Sequence, residues 1–452
     1  MANAYFSDLL STIADRGRAL LGRIEWPTGL SNKSVDVAEI CDALLSGRGE
    51  ASGVAMAQEA LDRYRGLADD QKVEFFNALA SKYGPDHDAL RRAFDAWRDN
   101  PSAATETDLH FQTEPRRQEL FRRLNRAPGG TSALVSMRED LLDFRRSNPN
   151  HAVVDRCLSH LLASWFNRGF LILRRIDWST PANVLEKIIK YEAVHEIRDW
   201  NDLRRRIDPA DRRCYAFFHP ALGDEPLIFV EVALTDATPA AIAPLLAETR
   251  DIAAPEKART AVFYSISNCQ RGLAGISFGN FLIKQVVEEL SRELPALETF
   301  VTLSPVPNFV SWLRTPAAAE AGVDSSLLET LEDPAWAADP GRADALRKQI
   351  EPLAAEYYLR GRDKGGRAAD SVARFHLGNG ARLERINWLG DTSPRALRDG
   401  AGLMVNYLYD RNAIEANHEA YANLGMVVAS GAVKRMAKAA KPRLQLSMAS
   451  SN

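Results

Sequence analysis

TAVFYSIS (260–267) leads through QRGLAGISFGN (270–280) into FLIKQVVEEL (281–290), and this succession decides the fold. The first segment is a β-branched and aromatic run suited to a pleated sheet, and the last places apolar residues at helical spacing. Between them, glycines let the backbone approach a ligand closely, and a helix beginning near Asn280 offers unpaired N–H groups and the positive end of its dipole. The predicted anion cradle comprises Ala274, Gly275, Ile276, Ser277, Phe278, Gly279 and Asn280, and Arg271 adds one formal charge.

Outward from this unit, strands are predicted at 213–219 (RCYAFFH), 226–234 (PLIFVEVAL), 298–303 (ETFVTL), 383–389 and 403–409. Helices are expected at 184–193, 239–248 and 280–290, giving an alternating α/β domain with a mixed central sheet. A helical insertion at about 317–366 and a terminal helix near 414–438 complete it. Up to about Ile176, by contrast, apolar residues recur three and four apart (Ile40, Leu44; Phe75, Phe76, Leu79; Leu90, Phe94, Trp97), a helical stripe. Gly84-Pro85, Asn100-Pro101, 128–130 and 148–150 mark the loops. The fold class is therefore α+β with two domains: a helical bundle over 1–176, for scaffold or oligomerisation, and a catalytic α/β domain over 177–452.

Two reactive side chains sit beside rigid backbone punctuation. Ser304 closes the apolar run of FVTLSPVP (300–307), where Pro305 and Pro307 force an extended or turning path. His376 opens FHLGNGARLERINWL (375–389), whose Gly-Asn-Gly reads as a turn into a strand. Both residues are expected at sheet edges. Ser-Pro pairs commonly initiate turns and histidines are commonly half-buried, so the residues alone leave a structural role open.

With 57 Lys+Arg against 60 Asp+Glu, no global field points to nucleic acid or an anionic membrane. Cys41, Cys157, Cys214 and Cys269 lie far apart without metal-ligand or disulfide spacing, so reduced thiols and no metal site are expected. No apolar run approaches the ~20 residues of a membrane helix. Residues 1–23 read as a surface amphipathic helix whose Asp8 and Asp15 break the pattern of a transit peptide, and the final Ser-Ser-Asn is not a peroxisomal signal. A bacterial-type cytoplasmic enzyme is expected.

FYSIS (263–267), QRGLAGISFGNFLIK (270–284), TLSPVP (302–307), FHLGNGA (375–381) and GLMVNYLY (402–409), in that order, resemble the malonyl-CoA decarboxylase family, with the likeness strong over about 150–434. The glycine loop is similar to the coenzyme A loop of acetyltransferase-type (GNAT) folds, except that Gly272 stands where Gln or Arg is usual before Gly275. The resemblance implies decarboxylation of malonyl-CoA to acetyl-CoA and carbon dioxide, with 274–280 on the coenzyme, and Ser304 and His376 as the catalytic pair. It implies His376 as the acid protonating the enolate, an imidazole whose ordinary pKa of ~6.5 leaves both forms accessible, with Ser304 exchanging its proton with it. Tyr409, Ser265 and Asn379 are further candidates. The thioester is itself the electron sink, so no cofactor is demanded, and the other expected partners are copies of the chain in a homo-oligomer, a dimer or tetramer. An acyl-CoA-dependent acetyltransferase and a coenzyme A-sensing scaffold remain open as alternatives.

Overall fold

A computed structural model of the chain describes residues 36–46, 49–276, 282–323, 325–363 and 365–439, and Thr12. The expected helix at 1–23, apart from Thr12, and the cradle residues Ser277, Phe278, Gly279 and Asn280 lie outside the described residues. The chain divides into two compact units, the first taking the described residues up to Ile172 together with Phe218–Glu225 and 270–276, the second the remainder.

The first unit is helical. Val37–Leu45, Glu50–Arg65, Asp69–Ser81, His87–Asp99, Ala103–Gln112, Arg116–Leu124, Gly130–Phe144 and Ala152–Trp165 follow one another through short loops. The predicted breaks work through caps: Asp86 accepts from the N–H groups of Asp88 and Ala89, and Ser102 from that of Thr105, satisfying first-turn donors. Ile40, Met56, Phe76, Leu79, Leu120, Phe121, Leu134 and Leu158 are buried from water, the apolar stripes having found partners.

The second unit is built on a mixed sheet of β1 (Ile172–Ile176), β2 (Arg212–Phe218), β3 (Pro226–Thr235), β4 (Thr260–Asn268), β5 (Thr299–Thr302), β6 (Ser304–Pro305), β7 (Arg382–Asn387) and β8 (Met404–Leu408). β1, β2, β3, β4 and β5 lie in sequence order, β8 follows beside β5 and β6, and β7 pairs with β8 on its other side. β3 and β4 are antiparallel, and β4 and β5 are parallel. The parallel pairing covers only Thr260–Phe263 against Thr299–Thr302; beyond it β4 continues along β3 to Asn268 while the other strand passes through Leu303 into β6 and pairs with β8. The two strands thus fork. Opposite the Glu231/Val232 step the β3–β4 register slips, leaving Tyr264 as the extra, bulged residue where the fork opens. Val262, Val301, Leu303, Met404 and Ala233 form the core beneath it. An antiparallel pair beside a diverging parallel pair, followed by a loop and a helix, agrees with the expected α/β domain on a mixed central sheet.

Four local expectations are corrected. Residues 172–176, read as the end of the helical region, form the edge strand β1. The helix expected at 239–248 shrinks to Ala243–Leu246, because the Pro239 carbonyl accepts from Arg385 and Asn406 and the Ile242 N–H donates to Gly390, so tertiary bonds replace helical ones. The terminal helix is two, Ile414–Leu424 and Gly431–Ala439, broken where Gly425 takes a φ of 62°. His376 lies in the last turn of a helix, Ser371–Gly378, rather than in a turn into a strand. Asp370 caps that helix through the N–H groups of Val372 and Ala373, and Gly380 (φ 81°) ends it where a Cβ would meet the Ile414 carbonyl at 2.2 Å.

Candidate active site

The fork, the helix bearing His376 and strand β8 bring together residues far apart in sequence. Thr302 and Ser304 are two apart on an extended strand and share a face, so the Ser304 hydroxyl donates to Thr302 Oγ1 at 2.9 Å. Ser304 Oγ lies 3.1 Å from His376 Nε2, and His376 Nδ1 lies 2.8 Å from the Tyr409 hydroxyl. The imidazole stacks on Tyr407 with centroids 4.5 Å apart and planes at 24°, and the Tyr409 ring meets Phe263 edge-on. All four members of the chain are buried.

The hydrogen-bond directions leave one consistent proton assignment. Thr302 Oγ1 accepts from the Tyr407 N–H and from Ser304, and its own proton turns to the Val405 carbonyl at 3.5 Å. With the Ser304 proton committed to Thr302, Ser304 Oγ accepts from His376 Nε2–H; Nδ1 then carries the lone pair and accepts the Tyr409 phenol proton. Burial supports this order, holding the Tyr409 phenol protonated far above its ordinary value and pushing the His376 imidazole down to about 3. The expected accessibility of both histidine forms near neutral pH is thus corrected: desolvation favours the neutral ring in the unliganded protein.

Ser304 and His376 open onto a cavity of about 250 Å³. Phe263, Tyr264, Ile266 and Asn268 of β4 line one side, and Val372 and Phe375 belong to the helix on the other. Of the further candidates, Tyr409 joins the chain through Nδ1, whereas Ser265 and Asn379 do not line this cavity. The Ser265 hydroxyl is bonded to the Glu192 carboxylate at 2.8 Å, and the Asn379 amide donates to Phe375 O at the helix end. Sequence reading missed Thr302, Tyr407, Asn268 and Asn406. Buried Asn406 donates to the Thr302 carbonyl at 2.7 Å and accepts from Arg385 and Asn387, tying β5, β8 and β7 together beneath the site. Its place beside Tyr407 in GLMVNYLY was the one available signal.

In the first unit, the loop at 270–276 is tied to the helix Gly130–Phe144. Arg138 donates to the Gly272 carbonyl at 2.6 Å, the Gly272 N–H donates to Glu139, and Arg271 pairs with Asp143 at 2.6 Å. A Cβ on Gly272 would lie 2.0 Å from Val135 O, which accounts for glycine where Gln or Arg is usual. Gly275 takes a φ of 77° with open space around its Cβ position. Arg271 is thus already engaged by a carboxylate. Among the described residues, no group of three or more His, Cys, Asp or Glu is placed to hold a metal, and no helix is long and apolar enough to cross a membrane. The four cysteines are buried.

Residues 83–166 match the malonyl-CoA decarboxylase N-terminal domain family, and residues 169–447 match the malonyl-CoA decarboxylase C-terminal domain family. The chain is similar to the mitochondrial malonyl-CoA decarboxylase of Anser anser anser, 36% identical over 405 residues that cover 81% of this chain and 80% of that one. Its counterpart in Rattus norvegicus is 37% identical over 384 residues, covering 76% and 78%. The solved malonyl-CoA decarboxylase of Rhodopseudomonas palustris is 56% identical with a TM-score of 0.86, covering 88% of this chain and 98% of that one. That of Agrobacterium vitis is 55% identical with a TM-score of 0.84, covering 89% and 100%.

Proposed function

Because this chain belongs to the malonyl-CoA decarboxylase family, which makes it a carboxy-lyase, we propose that the forked cavity is where malonyl-CoA loses carbon dioxide and that Tyr409, His376 and Ser304 deliver the replacing proton. The C–C bond to the carboxylate breaks, carbon dioxide leaves, and the bonding pair moves into the thioester as an enolate. The thioester is the electron sink, so the step as written draws on no further group. The Ser304 hydroxyl turns its proton from Thr302 to the enolate carbon and gives it up, while His376 Nε2–H moves to Ser304 and the Tyr409 proton moves to Nδ1. The two inner transfers each cross one hydrogen bond and the imidazole stays neutral, which suits a ring that burial makes hard to charge. The negative charge ends on Tyr409; the strong basicity of a thioester enolate favours this transfer, and the burial of the phenol works against it. After product leaves, solvent in the cavity returns a proton to Tyr409 through Ser304 and His376.

The observation that carries this reading is the continuous Tyr409–His376–Ser304 chain ending at the cavity that Phe263, Ile266 and Phe375 also line. Asn268, an amide in the lining, is suited to the thioester carbonyl, where one oxyanion donor is worth about 2.7–4 kcal/mol. The cradle at 274–280 would hold the coenzyme pyrophosphate by backbone amides. Incubation with malonyl-CoA alone tests the whole: acetyl-CoA and carbon dioxide should appear in equal amounts, whereas an acetyltransferase would form neither without an acceptor. Self-association is proposed to run through the helix pair His87–Asp99 and Ala103–Gln112, which leaves Phe94, Trp97 and Phe111 exposed. A Phe111→Glu protein whose mass in light scattering matched that of the unaltered protein would contradict it.

A further inference from the structure

The reaction cavity has a larger neighbour. A second cavity of about 510 Å³ adjoins it, and Val194, Pro305 and Val372 line both. These three residues lie on the boundary that the two cavities share, and we take them as a partition between the 250 Å³ cavity and the larger space. Val194 follows the helix Ala182–Tyr191, with its backbone N–H held by the Glu192 carboxylate; Val372 stands in the first turn of the His376 helix, its N–H held by Asp370. Both backbones are fixed by bonds that do not involve the valine side chains, so shortening those side chains opens the wall without freeing the chain. Beyond the partition the lining is apolar at Ile242, Leu246, Val306 and Leu403, and it also carries the charged residues Glu196, Arg206, Asp391, Arg395 and Asp399.

We propose that this second cavity is a latent subsite for an alkyl branch on the substrate's α-carbon, and that Val194 and Val372 exclude such branches, which restricts the enzyme to malonyl thioesters with little or no 2-substituent. The proposal rests on the decarboxylase reading. With Ser304 supplying the proton, the α-carbon would sit beside Ser304 in the small cavity, whose lining also includes Pro305 and Val372, so a substituent directed toward the larger cavity would meet those residues. A 2-alkylmalonyl thioester would react by the same balanced step: the C–C bond breaks into the thioester, carbon dioxide leaves, and one proton arrives at the substituted carbon. Branched β-branched valines are stiff at χ1, so the wall does not yield by rotation.

The test compares malonyl-CoA, methylmalonyl-CoA and 2-propylmalonyl-CoA on the full-length protein and on Val194→Ala, Val372→Ala and the double variant. One methylene in an apolar pocket changes kcat/KM by about 10–200-fold, so the ratio of 2-propylmalonyl-CoA to malonyl-CoA turnover should rise at least about tenfold in the double variant. Val372→Phe should move the methylmalonyl-CoA ratio the opposite way. A double variant that turns over malonyl-CoA with the ratio unmoved overturns the partition. Should the double variant not fold, the single variants and Val372→Phe decide, and ratios unmoved in all of them overturn it equally. If the unaltered protein does not decarboxylate malonyl-CoA, the functional reading fails and the partition fails with it; if it does and the ratios stay fixed, only the partition fails.

Discussion

Replacing Tyr409 by phenylalanine isolates the outer end of the proton chain. The ring keeps its edge-on packing against Phe263, so the loss is one hydroxyl, the partner of His376 Nδ1 at 2.8 Å. His376 is buried, so Nδ1 becomes an unpaired acceptor without water, which costs about 1–3 kcal/mol. The same bond selects the tautomer that places a proton on Nε2 toward Ser304. If it is needed in the transition state, 1–3 kcal/mol converts to a fall in kcat of about 5- to 160-fold with KM little changed. Carbon dioxide release under saturating malonyl-CoA measures it, with thermal unfolding as a check on folding. In a Ser304→Ala background the further cost of Tyr409→Phe should nearly vanish, because residues that act as one chain are not additive. A folded Tyr409→Phe protein with kcat within about twofold of the unaltered enzyme, or costs that add in full in the double variant, would refute the relay.

The inner members should matter more: Ser304→Ala and His376→Asn are each expected to lower kcat at least about a hundredfold with the fold intact, and near-normal turnover in either removes the assignment. The His376 value in the folded, free enzyme is depressed to about 3, so its protonation is deferred well below the ordinary ~6.5. The neutral ring the relay needs therefore persists as pH falls, and kcat/KM should show an acid limb from His376 only below about pH 5; a His376 inflection near 6.5 would contradict the burial argument. In the coenzyme loop, Gly275→Val forces a β-branched residue into left-handed backbone and should raise KM strongly. Arg271→Ala removes an exposed contact already shared with Asp143, worth about 1 kcal/mol or less, so the reverse order in a direct coenzyme A titration would replace the backbone cradle with a charge clamp.

Features that depend on neighbours in the chain were legible in the amino-acid pattern. Periodicity and propensity placed the helical first region, the strands at 213–219, 226–234 and 260–267, each within a residue of its observed bounds, and the loop that follows them, because hydrogen-bonding geometry and alternation repeat over a few residues. It also set Thr302 and Ser304 on one face, since a strand repeats every two residues. Ordered motifs marked Ser304, His376 and Tyr409 as candidates, and Gly84-Pro85 and Asn100-Pro101 marked loops, beside which Asp86 and Ser102 cap the helices that follow. The rest follows from packing between distant segments. Ser304 and His376 are 72 residues apart and His376 and Tyr409 are 33 apart, so their hydrogen bonds arise from the packing of a helix and β8 around the fork, which no local pattern encodes. The Gly-Asn-Gly stretch reads as a hairpin turn, but Asp370 starts a helix before it and the Ile414 backbone leaves Gly380 no room for a side chain, so the segment ends that helix instead. Burial inverted the expected state of His376, because desolvation penalises the charged ring and depends on every element packed around it. Ser265, as polar as Ser304 in sequence, was turned away by the Glu192 carboxylate. Side-chain chemistry was legible one residue at a time; which groups meet, and in how dry a place, was settled by contacts between distant segments.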